Sequence, residues 1–160
     1  MAILQAGSRA VSTDRGEIAL SLLRAPLVPD DTANRGEQSF RYAIMPFATG
    51  FKDAGVVKAG MVFSEETFAN IPHEDAGFRM DSDAIILETI KPADDGSDDI
   101  ILRLYESLRT TASGVLRLPF AVKVYESAMD ESETGALLGE GVEIPLTLKP
   151  FEIRTLRICR

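Results

Sequence analysis

Two apolar runs separated by an acidic turn, within residues 84–106, form the clearest pattern in the sequence. The first run, residues 85–90, is rich in β-branched residues, and the second run covers residues 100–105. In the second run Arg103 and Tyr105 alternate with leucines, and a period of two places the polar and apolar side chains on opposite faces of a strand. Proline, glycine and paired aspartates fill the intervening turn. The pattern predicts a β-hairpin whose arms supply side chains to a core.

Further strands are predicted from the same alternation elsewhere in the chain. They cover residues 17–24, 38–47, 115–125, 142–148 and 151–160. Pro119 interrupts one of these runs, and because proline donates no ladder hydrogen bond, it indicates an edge or a bulge there. Short strands separated by turn residues are typical of a sandwich. We therefore predict an all-β, antiparallel β-sandwich fold.

Two stretches carry weaker patterns. Residues 1–16 are small and polar, which favours a short strand or a loose terminus. Residues 127–141 are acidic and rich in glycine, and Ala136, Leu137 and Leu138 form a small apolar island within them. The organisation we predict is residues 1–75 as terminal strands of one β-domain with a connector, and residues 76–160 as a C-terminal β-sandwich.

The connector itself, residues 50–73, is the least readable part of the chain. Val56 and Val57 are compatible with a strand. Residues 65–69 favour one helical turn, which Pro72 ends because the residue before a proline avoids helical geometry.

The charge balance limits the possible partners. The 160-residue chain has 17 basic and 25 acidic residues and a net charge of −8. Because nucleic acids and anionic membranes bind concentrated basic surface, neither is an expected partner. No apolar run approaches the ~18 residues needed to span a membrane. Residues 1–10 lack the basic start and apolar run of a signal peptide.

A single cysteine, Cys159, excludes an intramolecular disulfide and fits a reducing compartment, so we expect a cytoplasmic protein. We expect a quiet, half-buried thiol, since the only histidine, His73, falls in a loop-like stretch. One histidine and one cysteine far apart in sequence also make a zinc site improbable.

Four aspartates in the hairpin turn are candidate metal ligands: Asp94, Asp95, Asp98 and Asp99. We expect all four to point at water as a solvated turn. A calcium site is the alternative, because hard cations bind clustered loop oxygens. Glycosidases need two carboxylates facing each other across a bond, and the spacing singles out no such pair.

A polar cluster of Arg103, Tyr105 and Glu106 is the candidate for substrate binding. A structural ion pair or hydrogen bond is the favoured interpretation, and a ligand site is the alternative. Exposed tyrosines stack on sugars, but Tyr42, Tyr105 and Tyr125 occupy positions suited to half-burial. The absence of tryptophan also disfavours an independent carbohydrate-binding module.

Three ordered segments carry a resemblance to a known family. The hairpin contributes Ile86-Leu87-Glu88-Thr89-Ile90-Lys91, Asp94-Asp95-Gly96 and Ile101-Leu102-Arg103-Leu104-Tyr105-Glu106. The end of the chain contributes residues 146–156, and the upstream part contributes residues 20–26, 30–31, 36–37 and 40–44. Together, over residues 17–160, they resemble the C-terminal region of the glycoside hydrolase family 38 α-mannosidases, with Asp94 where the family commonly has Glu.

This resemblance implies a parent enzyme that hydrolyses terminal α-linked mannose with retention. Its N-terminal catalytic domain would bind zinc and supply an aspartate nucleophile. No position of this chain matches that domain, so no catalytic residue carries over, and we expect the chain to be inactive and metal-free alone. The implied role is structural support, packing on the catalytic domain of the same chain or oligomer contacts, with mannose-containing glycans met through the parent enzyme. An independent carbohydrate-binding sandwich is the alternative.

The resemblance also implies that residues 17–60 are the last strands of a preceding, larger β-sandwich domain. Strands taken from a larger sheet expose hydrogen-bonding edges and an apolar face, which favour self-pairing. We therefore expect a homo-oligomer, a dimer or larger.

Overall fold

The computed structural model describes residues 1–6, 10–24, 26–65 and 77–159. The chain divides into two compact units, residues 1–72 and residues 73–160. The boundary predicted between residues 75 and 76, His73 and nearly all of the helical turn predicted at 65–69 lie outside the described residues. None of the helices in the described ranges is long and apolar enough to cross a membrane.

In its described residues, the first unit contains two separate antiparallel strand pairs and one helix. Its elements are β1 (Ala2–Ala6), β2 (Ala10–Asp14), β3 (Glu17–Ser21), β4 (Arg41–Met45) and α1 (Val56–Glu65). β1 pairs with β4, and β2 pairs with β3. The strands predicted near residues 17–24 and 38–47 are confirmed in shorter form, and residues 1–16 contribute two strands rather than a loose terminus.

Helix α1 corrects the strand preference assigned to Val56 and Val57. Two adjacent β-branched residues are a weak local signal, and packing against β1 overrides it. The Phe63 ring of α1 lies 4.4 Å from the Arg41 guanidinium of β4, so the helix covers one face of the β1–β4 pair. The other face carries Tyr42, which is 53% exposed, so its predicted half-burial was wrong.

The second unit is an antiparallel β structure of six strands. These are β5 (Arg79–Asp81), β6 (Ile85–Pro92), β7 (Ile100–Glu106), β8 (Ala112–Ser127), β9 (Thr134–Leu148) and β10 (Ile153–Cys159). The strands run in the order β5-β8-β10-β7-β6, and β9 pairs with the opposite edge of β8. The predicted central hairpin is confirmed as β6 and β7.

The long β8–β9 hairpin bends in its middle and forms both layers of the sandwich. Its register breaks between Arg117 and Val122, and Pro119 lies in that break, as predicted. The part of β8 before the break pairs with β5, and the part after it pairs with β10. Side chains from both parts belong to one buried cluster, so the two halves face each other across a single core.

The core is aliphatic and follows the predicted alternation. Leu102 and Leu104 of β7 are fully buried, whereas Arg103 and Tyr105 are half-buried on the other face. The largest fully buried side chains are Ile85, Ile101, Leu102, Leu104, Leu116, Ile144, Leu148, Leu156, Ile158 and Val124. Each such side chain contributes about 1.5–3 kcal/mol through removal from water, so this cluster dominates the stability of the unit.

The acidic, glycine-rich stretch of residues 127–141 is mostly strand. Only residues 128–133 form a turn, closed by an Ala128 N–H to Glu133 O hydrogen bond of 3.0 Å, and β9 begins at Thr134. Glycine there serves close packing: a Cβ on Gly139 would lie 3.1 Å from the Ile144 Cδ1 atom. Gly139 therefore occupies a strand position with little room for a side chain.

Candidate functional site

The charged candidates lie on the outer face of the layer formed by β6, β7 and β10. Lys91 and Arg157 both pair with Ile101, one from each neighbouring strand, and Arg103 lies two residues further along the same face of β7. Three cations therefore occupy neighbouring positions beside the β6–β7 loop and the turn of residues 128–133. Both of these connections supply carboxylates to them.

Arg157 binds the β6–β7 loop. Its Nε atom lies 2.6 Å from Asp99 Oδ2, and its terminal nitrogen lies 2.5 Å from Asp95 Oδ2 and 3.1 Å from Ser97 Oγ. The Arg157 side chain is only 11% exposed. Hydrogen bonds to Asp95 and Asp99 raise the pKa of Arg157, and hydrogen bonds from Ser97 and Arg157 lower the pKa of Asp95. The expectation that all four aspartates point at water was therefore wrong for Asp99, whose side chain is 20% exposed, whereas Asp95 binds Arg157 and is still 52% exposed.

Glu131 connects the turn of residues 128–133 to the same loop. Its carboxylate is 5% exposed, lies 2.6 Å from Lys91 Nζ and accepts a 2.9 Å hydrogen bond from the Asp94 N–H. Arg103 donates to the Met129 carbonyl at 3.0 Å, which fixes the turn from the other side. The Lys91 ammonium and the Asp94 N–H lower the pKa of Glu131, so this carboxylate is charged at neutral pH.

These ion pairs bear on the calcium alternative. Lys91 lies 2.7 Å from Asp94, Arg157 holds Asp95 and Asp99, and Asp98 is exposed. Over the described ranges, no group of three His, Cys, Asp or Glu side chains is placed to hold a metal ion. Three of the four aspartates are already paired with cations, which favours a structural role for this loop.

Glu106 is separated from the other two members of its predicted cluster. It lies on the core face of β7, is 3% exposed and accepts four backbone hydrogen bonds. The donors are the N–H groups of Leu108 at 2.7 Å, Arg109 at 3.0 Å, Thr110 at 3.1 Å and Phe151 at 3.0 Å. The period of two that separates Arg103 and Tyr105 from the leucines also places Glu106 with the leucines, so the predicted cluster was wrong.

The electrostatics of Glu106 follow from these donors. Burial disfavours the charged form and raises the pKa of the carboxyl, but the four N–H groups together outweigh that effect and leave its pKa below the ordinary value. Glu106 is therefore a buried anion that fixes the β7–β8 connection and the turn before β10 at the same time.

The turn before β10 contains a feature that the sequence did not indicate. Glu152 N–H donates to the Lys149 carbonyl at 3.0 Å, and Pro150 and Phe151 fill the two central positions. Phe151 has φ +62°, in the left-handed region, where glycine or asparagine is usual, and its side chain is 69% exposed. Pro150 indicated the turn, but an aromatic residue next to a strand pattern is read as a core residue.

Cys159 is half-buried, as expected. Burial and the neighbouring Asp99 carboxylate raise the pKa of its thiol, which keeps it protonated at neutral pH. It lines an open cavity of about 270 Å³ together with Ala121, Val122, Lys123 and Glu140.

The second unit of the chain matches a known domain family. Residues 84–156 match the glycosyl hydrolases family 38 C-terminal beta sandwich domain. The match lies within the second unit, and the resemblance noted from the hairpin is confirmed.

Its relatives are named as α-mannosidases. The chain is 35% identical to Alpha-mannosidase G of Dictyostelium discoideum over 98% of its own length and 16% of the relative. It is 33% identical to Alpha-mannosidase 2C1 of Homo sapiens, over 89% of this chain and 15% of the relative. It is 29% identical to the Alpha-mannosidase of Saccharomyces cerevisiae, over 92% of this chain and 16% of the relative. The chain thus spans less than a fifth of these relatives, and the similarity extends into the first unit.

Proposed function

We propose that this chain is the C-terminal, non-catalytic β-sandwich region of an α-mannosidase and supports the folded catalytic domain. One observation carries the proposal: residues 84–156 match a domain of that position, in a chain that spans only about 16% of its relative Alpha-mannosidase G. The geometry is in keeping with a supporting role, since Arg157, Glu131 and Glu106 use their charges to hold loops.

The activity belongs, in this proposal, to the whole enzyme. That enzyme hydrolyses terminal α-linked mannose with retention, and it meets mannose-containing glycans through a catalytic domain on the same chain. In this proposal, zinc is bound by that catalytic domain and not by the residues of this chain. A cytoplasmic location is in keeping with the single, protonated thiol of Cys159.

A domain exchange tests the proposal. The segment of Alpha-mannosidase G that aligns with this chain is replaced by residues 1–160, and release of 4-nitrophenol from 4-nitrophenyl α-mannoside is measured. We expect the exchanged enzyme to be active, the enzyme without the segment to be inactive, and the isolated chain to be inactive. An exchanged enzyme that folds poorly and lacks activity would contradict the proposal, as would hydrolysis by the purified chain alone.

A binding measurement distinguishes the carbohydrate-binding alternative. Calorimetric titration of the isolated chain with methyl α-mannoside and mannobiose should give no heat of binding. Saturable binding by the isolated chain would favour an independent sugar-binding module instead.

A further inference from the structure

We propose that the Phe151 tip, defined as Phe151 and Ile153, docks this sandwich into an apolar depression on the remaining part of the α-mannosidase chain. The inference rests on the proposed function and adds to it the surface that makes the contact. Its occupant is intramolecular: a segment of the same polypeptide outside the 160 residues of this chain.

The tip is apolar and exposed. Phe151, in the turn before β10, is 69% exposed, and Ile153, the first residue of β10, is 59% exposed. Ile153 pairs with Tyr105 of β7, so the apolar surface continues onto a half-buried tyrosine. Neighbouring large apolar side chains on a surface mark interaction sites, and aromatic residues are frequent anchors of such contacts.

The conformation of Phe151 opposes an explanation by folding alone. Its φ of +62° is unfavourable for a bulky side chain, and a glycine would adopt it without penalty. The exposed ring gains little from the sandwich itself. A residue that costs stability in its own unit and projects into solvent is most simply explained by a contact outside that unit.

The tip is also held rigidly. The Phe151 N–H is bound by the buried Glu106 carboxylate at 3.0 Å, and the Lys149 N–H donates to Glu152 Oε2 at 2.7 Å. The Glu152 carboxylate is in turn paired with Arg154. Because the backbone is fixed before docking, little conformational entropy is lost when the ring is buried.

Two observations favour the same polypeptide as the occupant over a second copy. The relatives contain this region within much longer chains, of which it makes up 15–16%. The two side chains of the tip cover far less than the ~1,200 Å² that a specific association of separate molecules needs. Within one chain the high effective concentration removes that requirement.

The test compares two variants in two settings. Phe151→Gly and Ile153→Thr are introduced into the exchanged Alpha-mannosidase G and into the isolated 160-residue chain. Ile90→Thr is the matched control, since Ile90 is a strand isoleucine that is 44% exposed but lies outside the tip. The readouts are the rate of thermal inactivation of the exchanged enzyme and the melting temperature of the isolated chain.

We expect Phe151→Gly to speed inactivation of the exchanged enzyme by about tenfold, as loss of an aromatic anchor does, and Ile153→Thr to act in the same direction. In the isolated chain Phe151→Gly should leave the melting temperature unchanged or raise it. Faster inactivation of the exchanged enzyme, without a lower melting temperature of the isolated chain, would identify a docking contact.

Three results would overturn the inference. The first is that the exchanged enzyme with Phe151→Gly inactivates no faster than the exchanged enzyme with the Ile90→Thr control substitution. The second is equal destabilisation by Phe151→Gly in both settings, which would assign the ring to the sandwich itself. The third is an isolated-chain dimer that Phe151→Gly abolishes, which would make a second copy the occupant. Failure of the unsubstituted exchanged enzyme to fold would overturn the proposed function and this inference together, before any variant is compared.

Discussion

At the scale of single residues, Glu106 joins two parts of the chain that are distant in sequence. Its carboxylate accepts N–H groups from residues 108–110 and from Phe151, 45 residues away. Oε1 serves Leu108 and Thr110, whereas Oε2 serves Arg109 and Phe151. Hydrogen bonds to a buried charged acceptor are among the stronger ones in proteins.

We expect Glu106→Gln to lower the free energy of unfolding by about 2–3 kcal/mol, measured by urea denaturation. Glutamine keeps one acceptor oxygen but has an NH₂ group in place of the other. The two backbone N–H groups at that position then face a donor and lose their hydrogen bonds. Glu126 occupies the same Tyr-Glu-Ser tripeptide at the end of β8 and is half-buried, so Glu126→Gln is the control and should change stability by less than about 0.5 kcal/mol. Equal effects of the two substitutions would contradict the role assigned to Glu106.

The stability of the unit should also depend on pH through Glu106. Its pKa in the folded chain lies below the ordinary glutamate value of 4.5, so the folded state binds the proton less readily than the unfolded state. The stabilisation is therefore complete above pH ~4.5 and is lost as the pH falls through the folded-state pKa. Urea denaturation between pH 7 and pH 3 should show the difference between the wild-type chain and Glu106→Gln shrinking at acid pH. A constant difference over that range would exclude this linkage.

Single positions were predicted unequally. The alternation in β7 identified Leu102 and Leu104 as core residues, and the same alternation places Glu106 beside them. Glu106 was nevertheless assigned to a surface cluster, because a charged residue is rarely fully buried and its backbone partners are invisible in sequence. The exposure of Phe151 had no sequence signal, since pattern analysis treats an aromatic residue beside a strand as buried.

At the scale of elements, the strands of the β6–β7 hairpin could be predicted from the local sequence pattern, but the contacts of its loop could not. Arg157 lies 58 residues from Asp99 and 62 from Asp95, and only the pairing of β10 with β7 brings them together. The helix α1 shows the same limitation, because packing against β1 decides between helix and strand at Val56 and Val57.

We expect Arg157→Lys to raise amide hydrogen exchange across residues 93–99 by about tenfold, the effect of losing one or two charge-assisted hydrogen bonds at a partly exposed site. A lysine keeps the charge but cannot reach both carboxylates in the geometry of the guanidinium fork. Arg117→Lys is the control, since Arg117 is 49% exposed and pairs with Glu143 away from this loop. Unchanged protection of residues 93–99 would show that the loop holds its shape without Arg157.

At the scale of the whole molecule, the first unit differs from the second in how completely its strands are paired. Its two sheets have two strands each, and such isolated pairs are marginal in water. Tyr42 and Ile44 lie on the face of β4 away from α1, at 53% and 64% exposure. We assign the predicted homo-oligomer contact to this exposed face of β4. The oligomer itself is still a prediction.

We expect the isolated chain to form dimers or larger species at tens of micromolar, measured by light scattering. The double substitution Tyr42→Thr and Ile44→Thr should shift the population toward monomer, because it removes the apolar face while keeping β-branched strand residues. Leu137→Thr, at a residue of the second unit that is 51% exposed, is the control and should leave the distribution unchanged. A monodisperse wild-type monomer would count against association through this face.

The fold class and the family were readable from the sequence, because ordered turn and strand motifs survive as local patterns. Pro119 predicted only an edge or a bulge in this strand. The division of the β8–β9 hairpin between two layers could not be predicted, because it depends on pairing with β5 on one side of the bend and with β10 on the other. Sequence periodicity reports which face of a strand is buried, but not which strand lies beside it.

The bend in the β8–β9 hairpin has a consequence for how the sandwich comes apart. Because the same two strands run through both layers, neither layer can melt without stripping hydrogen bonds from the other. The unit should therefore unfold in a single cooperative step, with agreeing calorimetric and van't Hoff enthalpies, and should offer proteases no partly opened half.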